Sequence, residues 1–550
     1  MRTLLTFAIS VVTGAAVLAN GSGRKFFDDD PIAREPETQD ASGAREREWD
    51  LFYDLAQNTF VPPGDKTDMR ALNVNTIDEV PDSNWFTNRR ISDLSFSDLM
   101  RGPVTTDGPA AGHWTIIASK SEGFAPGFTV RDEAGDVWFV QFDPPSSREA
   151  ATGAVIVANR IFWALGYWQV EQHLARIHPE ELRIAATALI RRPSGEKKRV
   201  TQADVDAVLR RTARNDDGSY RVVAAKALPG HPIGGFAYYG TRSDDPNDVV
   251  PHEHRRELRA LKVFAAWTNL VDLKAGNTLD TLITENGRSY IRHYLQDVGS
   301  TFGIGALGPH RWDEGFEHLY EGDKVAKRAA SFGFYLQPWQ TDAKYPEFES
   351  IGRFEADVFE PEAWRSRVPV PAIVRARADD TFWAARRVVA FTDEAIRAVV
   401  KAGRYSDPAA EAYLVEMLIK RREKIARAYL PKINPIVHPA LGADGTLTFD
   451  NAAVSAGVAA APAGYRAQWY HFDNATGKTT VIGEETRAAG TRLAAPGPLP
   501  SEAGAFVKIE VSAVESGAGQ VPHPSWLRPL DLYFRRTGAG WKLVGLERFP

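Results

Sequence analysis

The stretch 265–305, AAWTNLVDLKAGNTLDTLITENGRSYIRHYLQDVGSTFGIG, constrains this chain more than any other. It carries two short polar clusters framed by apolar residues. The first holds Asp272, Lys274 and Asn277; the second is Asp297 followed by Gly299. Between them, residues 278–283 and 288–295 read as two strands joined at Asn286-Gly287. Both of those residues tolerate the positive φ that a two-residue hairpin requires. A hairpin brings its ends together, so the clusters are expected to share one site. The residue types suit phosphoryl transfer. That chemistry needs a carboxylate to orient or deprotonate a hydroxyl, a cation on the transferred phosphate, and oxygen ligands for Mg²⁺. Asp272 suits the base, Lys274 the cation, and Asn277 with Asp297 the metal ligands. The plainer alternative is a polar turn after a helix, then a hairpin with a capping Asp.

At 550 residues the chain exceeds one ordinary core, and two or three domains are expected. A net charge of −5 and the lack of a long basic stripe leave no nucleic-acid signature. Residues 1–19 read as a secretory signal: Arg2 supplies charge, Leu4 to Leu18 the apolar run, and Val17-Leu18-Ala19 a cleavage site. An uncleaved membrane anchor is the alternative, although the run is short for a span. No other transmembrane candidate occurs. The expected location is periplasmic or secreted, or membrane-anchored through the N-terminal segment. The absence of cysteine excludes disulfides and a lipid-modified cysteine anchor. No Gly-x-Ser-x-Gly, no His-Glu-x-x-His and no cysteine nucleophile supports a hydrolase.

Residues 20–110 read as an N-terminal extension and strap: a polar linker to Arg47, a short helix over 48–60, and turn chemistry with aromatic plugs around Trp85 and Phe86. Residues 111–250 begin with a β-meander (114–119, 127–131 and 137–142) whose first connection holds Gly123 and Gly127. A helix over 149–165 ends at Gly166. A strand over 168–177 follows, then a charged loop-helix insertion over 180–217 and a strand over 219–227 carrying Lys226. The acidic run 244–248 reads as a solvated turn, and His252 with His254 have poor metal spacing for a helix. Residues 251–430 are mainly helical, with helices over 253–269, 381–389, 392–402 and 408–429. Residues 431–439 read as a linker. Residues 440–550 turn to strands with Gly, Pro and Asn turns, a β-sandwich-like pattern without a catalytic constellation.

Read in order, residues 114–430 resemble the kinase-like fold in its atypical branches, such as HipA-type and CotH-type kinases. Asp-Leu-Lys-x-x-Asn, from Asp272 to Asn277, has the spacing of the kinase catalytic loop, and Asp297-Val298-Gly299 resembles Asp-Phe-Gly. By that resemblance Asp272 matches the catalytic aspartate, Lys274 the lysine two residues on, Asn277 the metal-binding asparagine and Asp297 the metal aspartate. It implies an α+β, two-lobed fold, with a small β-rich lobe and a large helical lobe, that holds Mg²⁺ and ATP in its cleft. A β-sandwich-like domain would follow. The Gly123–Gly127 loop would cover the phosphates. The sequence also departs from the pattern. Leu270 stands where the histidine of His-Arg-Asp would be, Gln141 where the strand lysine would be, and Val155 near the helix glutamate. Lys120 or Lys226 would then have to serve the phosphates. Three functions follow: an exported atypical kinase acting on a protein or glycan hydroxyl in the cell envelope; an inactive pseudokinase serving there as a binding scaffold; or an envelope protein unrelated to kinases.

Overall fold

The computed structural model describes residues 23–119, 126–191, 197–345, 348–515 and 523–549. The leader 1–19, Lys120 and Gly123 lie outside the described residues. Helices and sheets are segregated along the chain in an α+β arrangement.

A helix α1 (Leu51–Phe60) and a short helix α2 (Phe96–Arg101) precede the first sheet. The meander forms as the alternation of its residues requires: β1 (Trp114–Ser119), β2 (Gly127–Arg131) and β3 (Val137–Phe142). Helix α3 (Ala150–Leu165) follows and stops at Gly166, whose φ of 119° suits only glycine without strain. A Cβ there would lie 2.3 Å from the Phe86 ring, so the aromatic strap packs directly on the end of this helix. Then come β4 (Gln172–Ile177), β5 (Leu182–Arg191), β6 (Lys197–Arg199), α4 (Gln202–Leu209) and β7 (Tyr220–Lys226). The seven strands run in the order β4-β7-β3-β2-β1-β5-β6.

Strand alternation divides this sheet into two faces. Trp138, Val140, Phe142, Val222 and Ala224 are buried with Val205 and Leu209 of α4. Val223 faces the other way and packs with Val155 and Ile156 of α3. The insertion 180–217 is more than loop and helix. Its strand β5 pairs in parallel with β1, a partner far away in sequence.

The strand β8 (His231–Pro232) leads towards α5 (Arg256–Arg259) and α6 (Leu261–Thr268). The predicted hairpin follows as β9 (Leu279–Glu285) and β10 (Arg288–Tyr294). Asn286 and Gly287 have φ of 51° and 79°, and Glu285 pairs with Arg288 across the two-residue turn. An exposed helix α7 (Gly322–Ala330) precedes the helices Ala378–Val389, Asp393–Lys401 and Pro408–Tyr429. These pack on α6.

The acidic run 244–248 is not simply solvated. Asp245 and Asp248 are buried, and Asp248 pairs with His252 at 2.8 Å. Nor is 431–439 exposed: Pro431, Ile433, Ile436 and Val437 are buried, and a strand begins at Ile436. One core cluster runs from the helices into two C-terminal sheets. One sheet is three-stranded; the other is built on Tyr465–Phe472, Phe506–Ala513, Leu530–Thr537 and Gly540–Glu547. The N-terminal extension is laid across the surface. Lys25 N–H donates to Asn474, Ala41 N–H to Ser289 and Arg47 N–H to Ile233.

Candidate functional site

Helix α6 ends at Asn269, whose φ of 55° turns the chain out of the helix. Beyond it Leu270, Val271, Leu273 and Ala275 are buried. Those anchors leave Asp272 and Lys274 at the partly exposed edge of the loop. Val271 N–H donates to Ser300 O at 3.2 Å, and Arg367 N–H donates to Val271 O at 2.9 Å. The loop is therefore clamped on both sides by backbone.

The hairpin returns the second cluster to the first. Asp297 N–H donates to Asn277 O at 2.9 Å. Asn277, itself buried, donates from Nδ2 to the Asp272 carbonyl at 2.6 Å. Asp297 Oδ1 accepts the Gly299 N–H at 2.9 Å, and this side chain is exposed. The four residues singled out by spacing are thus one bonded unit.

Asp272 is an ionised carboxylate. Lys274 Nζ lies 2.8 Å and Arg367 Nη1 3.2 Å from its Oδ2. Burial pushes its pKa up, but the Arg367 and Lys274 cations outweigh that and hold it below the usual carboxylate range. Arg367 also pairs with Glu314 at 3.1 Å. Behind this pair His310 Nε2 meets Ser300 Oγ at 2.9 Å. Burial, with Arg367 nearby, holds the imidazole down at about 3, so His310 is neutral.

Helix α1 packs over the loop. Asp54 is buried and accepts the Ala275 N–H. Burial raises its pKa, opposed by that N–H, by Asn58 and by Lys274. Gly276 abuts Leu51, where a Cβ would lie 2.7 Å from Leu51 Cδ2. On the other side, Gly299 meets α3: a Cβ there would sit 2.7 Å from Val155 Cγ2.

The donor set fits a hard divalent cation. With Nδ2 of Asn277 committed, its Oδ1 is the remaining ligand atom, and the exposed Asp297 carboxylate is the second. Among the described residues no cluster of three or more His, Cys, Asp or Glu side chains suits a metal. Any such ion would therefore need non-protein ligands as well. Gly127 opens β2 opposite Gln141. Gln141 shares the α3-facing side of the sheet with its register partner Val223. Lys226 is placed elsewhere. It falls on the same parity as Val222 and Ala224, which point to the α4 side, and it pairs with Asp136 at 2.9 Å beside Trp138. A period of two decides which face a strand residue serves, and this one serves the other face.

Three residues escaped sequence reasoning. Arg367 sits in an unremarkable Arg-Ser-Arg far down the chain, and no spacing links it to Asp272. Asp54 carried one signal, a lone acid inside an aromatic helix. Arg221 of β7 is 3.5 Å from Glu149, the residue capping α3. A strand cation and a helix glutamate do meet, at positions the spacing did not indicate. Arg221 Nε also donates to Thr152 Oγ1 at 2.8 Å, and its other nitrogens donate to the carbonyls of Arg404 and Gly403, so each of its three nitrogens already has a protein partner. Cavities of about 460 and 430 Å³ occur in the molecule, and neither has Asp272, Asn277 or Asp297 in its walls.

No protein-family model matches the chain. No curated protein matches it either. Among solved structures it is similar to the Golgi casein kinase, at 12% identity over 61% of this chain and 75% of that one, with a TM-score of 0.28. It is also similar to the Golgi casein kinase with Mn/ADP bound, at 11% identity over 61% and 76%, with a TM-score of 0.27.

Proposed function

We propose that the chain is a kinase-like protein that binds a Mg²⁺-nucleotide between the face of the seven-stranded sheet that packs on α3 and the loops carrying Asp272, Asn277 and Asp297. The observation that carries this reading is the 2.9 Å bond from Asp297 N–H to Asn277 O. It draws together two oxygen ligands that the sequence keeps apart. Support also comes from the strand order β1-β2-β3-β7-β4 with α3 between β3 and β4, the arrangement expected of a small kinase lobe. Bound Mg²⁺ would neutralise phosphate charge there, held by Asn277 Oδ1 and the Asp297 carboxylate. Asp272 would accept the proton of an attacking hydroxyl. Lys274 and Arg367 keep that carboxylate ionised, and Lys274, the more exposed of the two, would turn from Asp272 to the phosphate. The acceptor class is a protein or glycan hydroxyl. The apolar leader 4–18 supports an exported chain acting at the cell envelope.

A second reading, nucleotide binding without transfer, is favoured by the sheet itself. Gln141 takes the strand-lysine position, and all three Arg221 nitrogens are already engaged by Thr152 and two carbonyls. Two measurements separate the readings. Mg²⁺-ADP at about a hundredfold excess over Kd stabilises the fold by about 2.7 kcal/mol under both. Asp297→Asn abolishes that gain. Radiolabel transfer from ATP, lost in Asp272→Ala with ADP binding kept, selects the kinase. Stabilisation without transfer selects the pseudokinase, and no Mg²⁺-dependent stabilisation removes both.

A further inference from the structure

Between α3, the segment that follows α2 and the end of the helix Asp393–Lys401 lies the cavity of about 430 Å³, large enough for a small organic ligand. Its walls hold Arg101, Arg160, Lys401, Arg404 and His173, against a single acid, Asp107. Arg160 is 5% exposed. Its donors go to neutral acceptors: the Met100 and Gln172 carbonyls and Asn159 Oδ1. Among the described residues, no carboxylate pairs with Arg160, Lys401 or Arg404. Arg101 is paired with Asp98 at 2.6 Å, and His173 with Glu171 at 2.9 Å. Burial, with Arg404 adding to it against the pull of Glu171, lowers the pKa of Arg160 to about 10. Arg160, Lys401 and Arg404, gathered at one void without a paired carboxylate, cost the fold free energy, and an anion in the void recovers it. The remaining wall is apolar: Val104, Ile156 and Leu174.

We propose that this cavity binds a phosphate monoester carried on an apolar body. Arg160 is fixed at the inner wall by three acceptors, while the exposed Lys401 and Arg404 close on the phosphate from outside. The ester's organic part lies on Val104, Ile156 and Leu174. Ile156 links the site to α3, and the preceding Val155 touches Gly299, so occupancy bears on the helix that borders the Asp297 turn.

Titration calorimetry of the full chain with phenyl phosphate, in EDTA at fixed ionic strength, tests this. The expected result is saturable one-site binding, at least tenfold tighter than inorganic phosphate. It should weaken at least tenfold in Lys401→Gln/Arg404→Gln and persist in Asp297→Asn. Both lysine and arginine side chains are exposed, so the double variant should keep the wild-type circular dichroism. Absent or non-saturable binding overturns the proposal, as does equal binding by the double variant. Equal affinity for inorganic phosphate overturns the apolar subsite. Loss in Asp297→Asn assigns the ligand to the other site and also overturns it.

Discussion

Substitution of Gly299 by Ala tests the contact that joins α3 to the Asp297 turn. The added Cβ would lie 2.7 Å from Val155 Cγ2 and 3.2 Å from Asp297 Oδ1. Carbon atoms at rest sit about 3.5–4.0 Å apart, so the overlap with Val155 is about 1 Å. Val155 has little rotamer freedom in a helix and is 4% exposed, packed with Ile156 and Val223. Relief therefore requires α3 or the turn to move. Overpacking of this size costs about 1–3 kcal/mol. Val155→Ala opens the space at its own cost of about 1–3 kcal/mol for two lost methyl groups. In the double variant the penalties should fall short of their sum by about 1–2 kcal/mol, the coupling of two residues in contact. Urea denaturation midpoints of the four proteins, with and without Mg²⁺-ADP, measure it. Gly299→Ala should also weaken the nucleotide response, and Val155→Ala should restore part of it. A Gly299→Ala protein within about 0.5 kcal/mol of wild type, with additive penalties, refutes the contact.

Other perturbations test the surrounding framework. Asp380→Asn removes the shared counter-charge of buried Arg256 and Arg259, now at 3.0 and 3.1 Å, and should cost about 3–5 kcal/mol by denaturation. Glu423→Gln, on an exposed helical pair, should stay within about 0.5 kcal/mol of wild type. His310 sits at about 3 when folded and near its ordinary 6.5 when unfolded. Between those values the unfolded chain binds the extra proton, so stability falls as pH drops through that window, by up to about 1.4 kcal/mol per pH unit. His310→Gln should flatten that part of the denaturation profile. Helix α7 pairs Lys324 with Glu321 and Arg328 with Glu317, leaving Phe332 and Phe334 92% and 87% exposed just beyond it. Phe332→Ser/Phe334→Ser should reduce binding of a hydrophobic dye and leave stability within about 0.5 kcal/mol.

Local rules carried the sequence reading furthest. Asn286-Gly287 specified the hairpin, and the hairpin's geometry then joined Asn277 to Asp297. Alternation specified β1 to β3, and Gly166 stopped α3. What escaped was non-local. Strand β5 declares itself only through parallel pairing with β1. The charged run at 255–259 looks solvated in one dimension. Yet Arg255, Arg256 and Arg259 are fully buried because Glu35, Asp78 and Asp380 come to them from distant segments. Arg367 reached Asp272 the same way. Lys226 shows a subtler limit: its strand was legible, but the face it serves depended on the register with β3.

The account depends on Asn277 and Asp297 gripping one ion. Anomalous diffraction from crystals grown with Mn²⁺ and ADP measures this directly. A single strong peak is predicted within about 2.5 Å of both Asn277 Oδ1 and the Asp297 carboxylate, with the diphosphate beside it. No peak there, or one held by other side chains, would contradict the account.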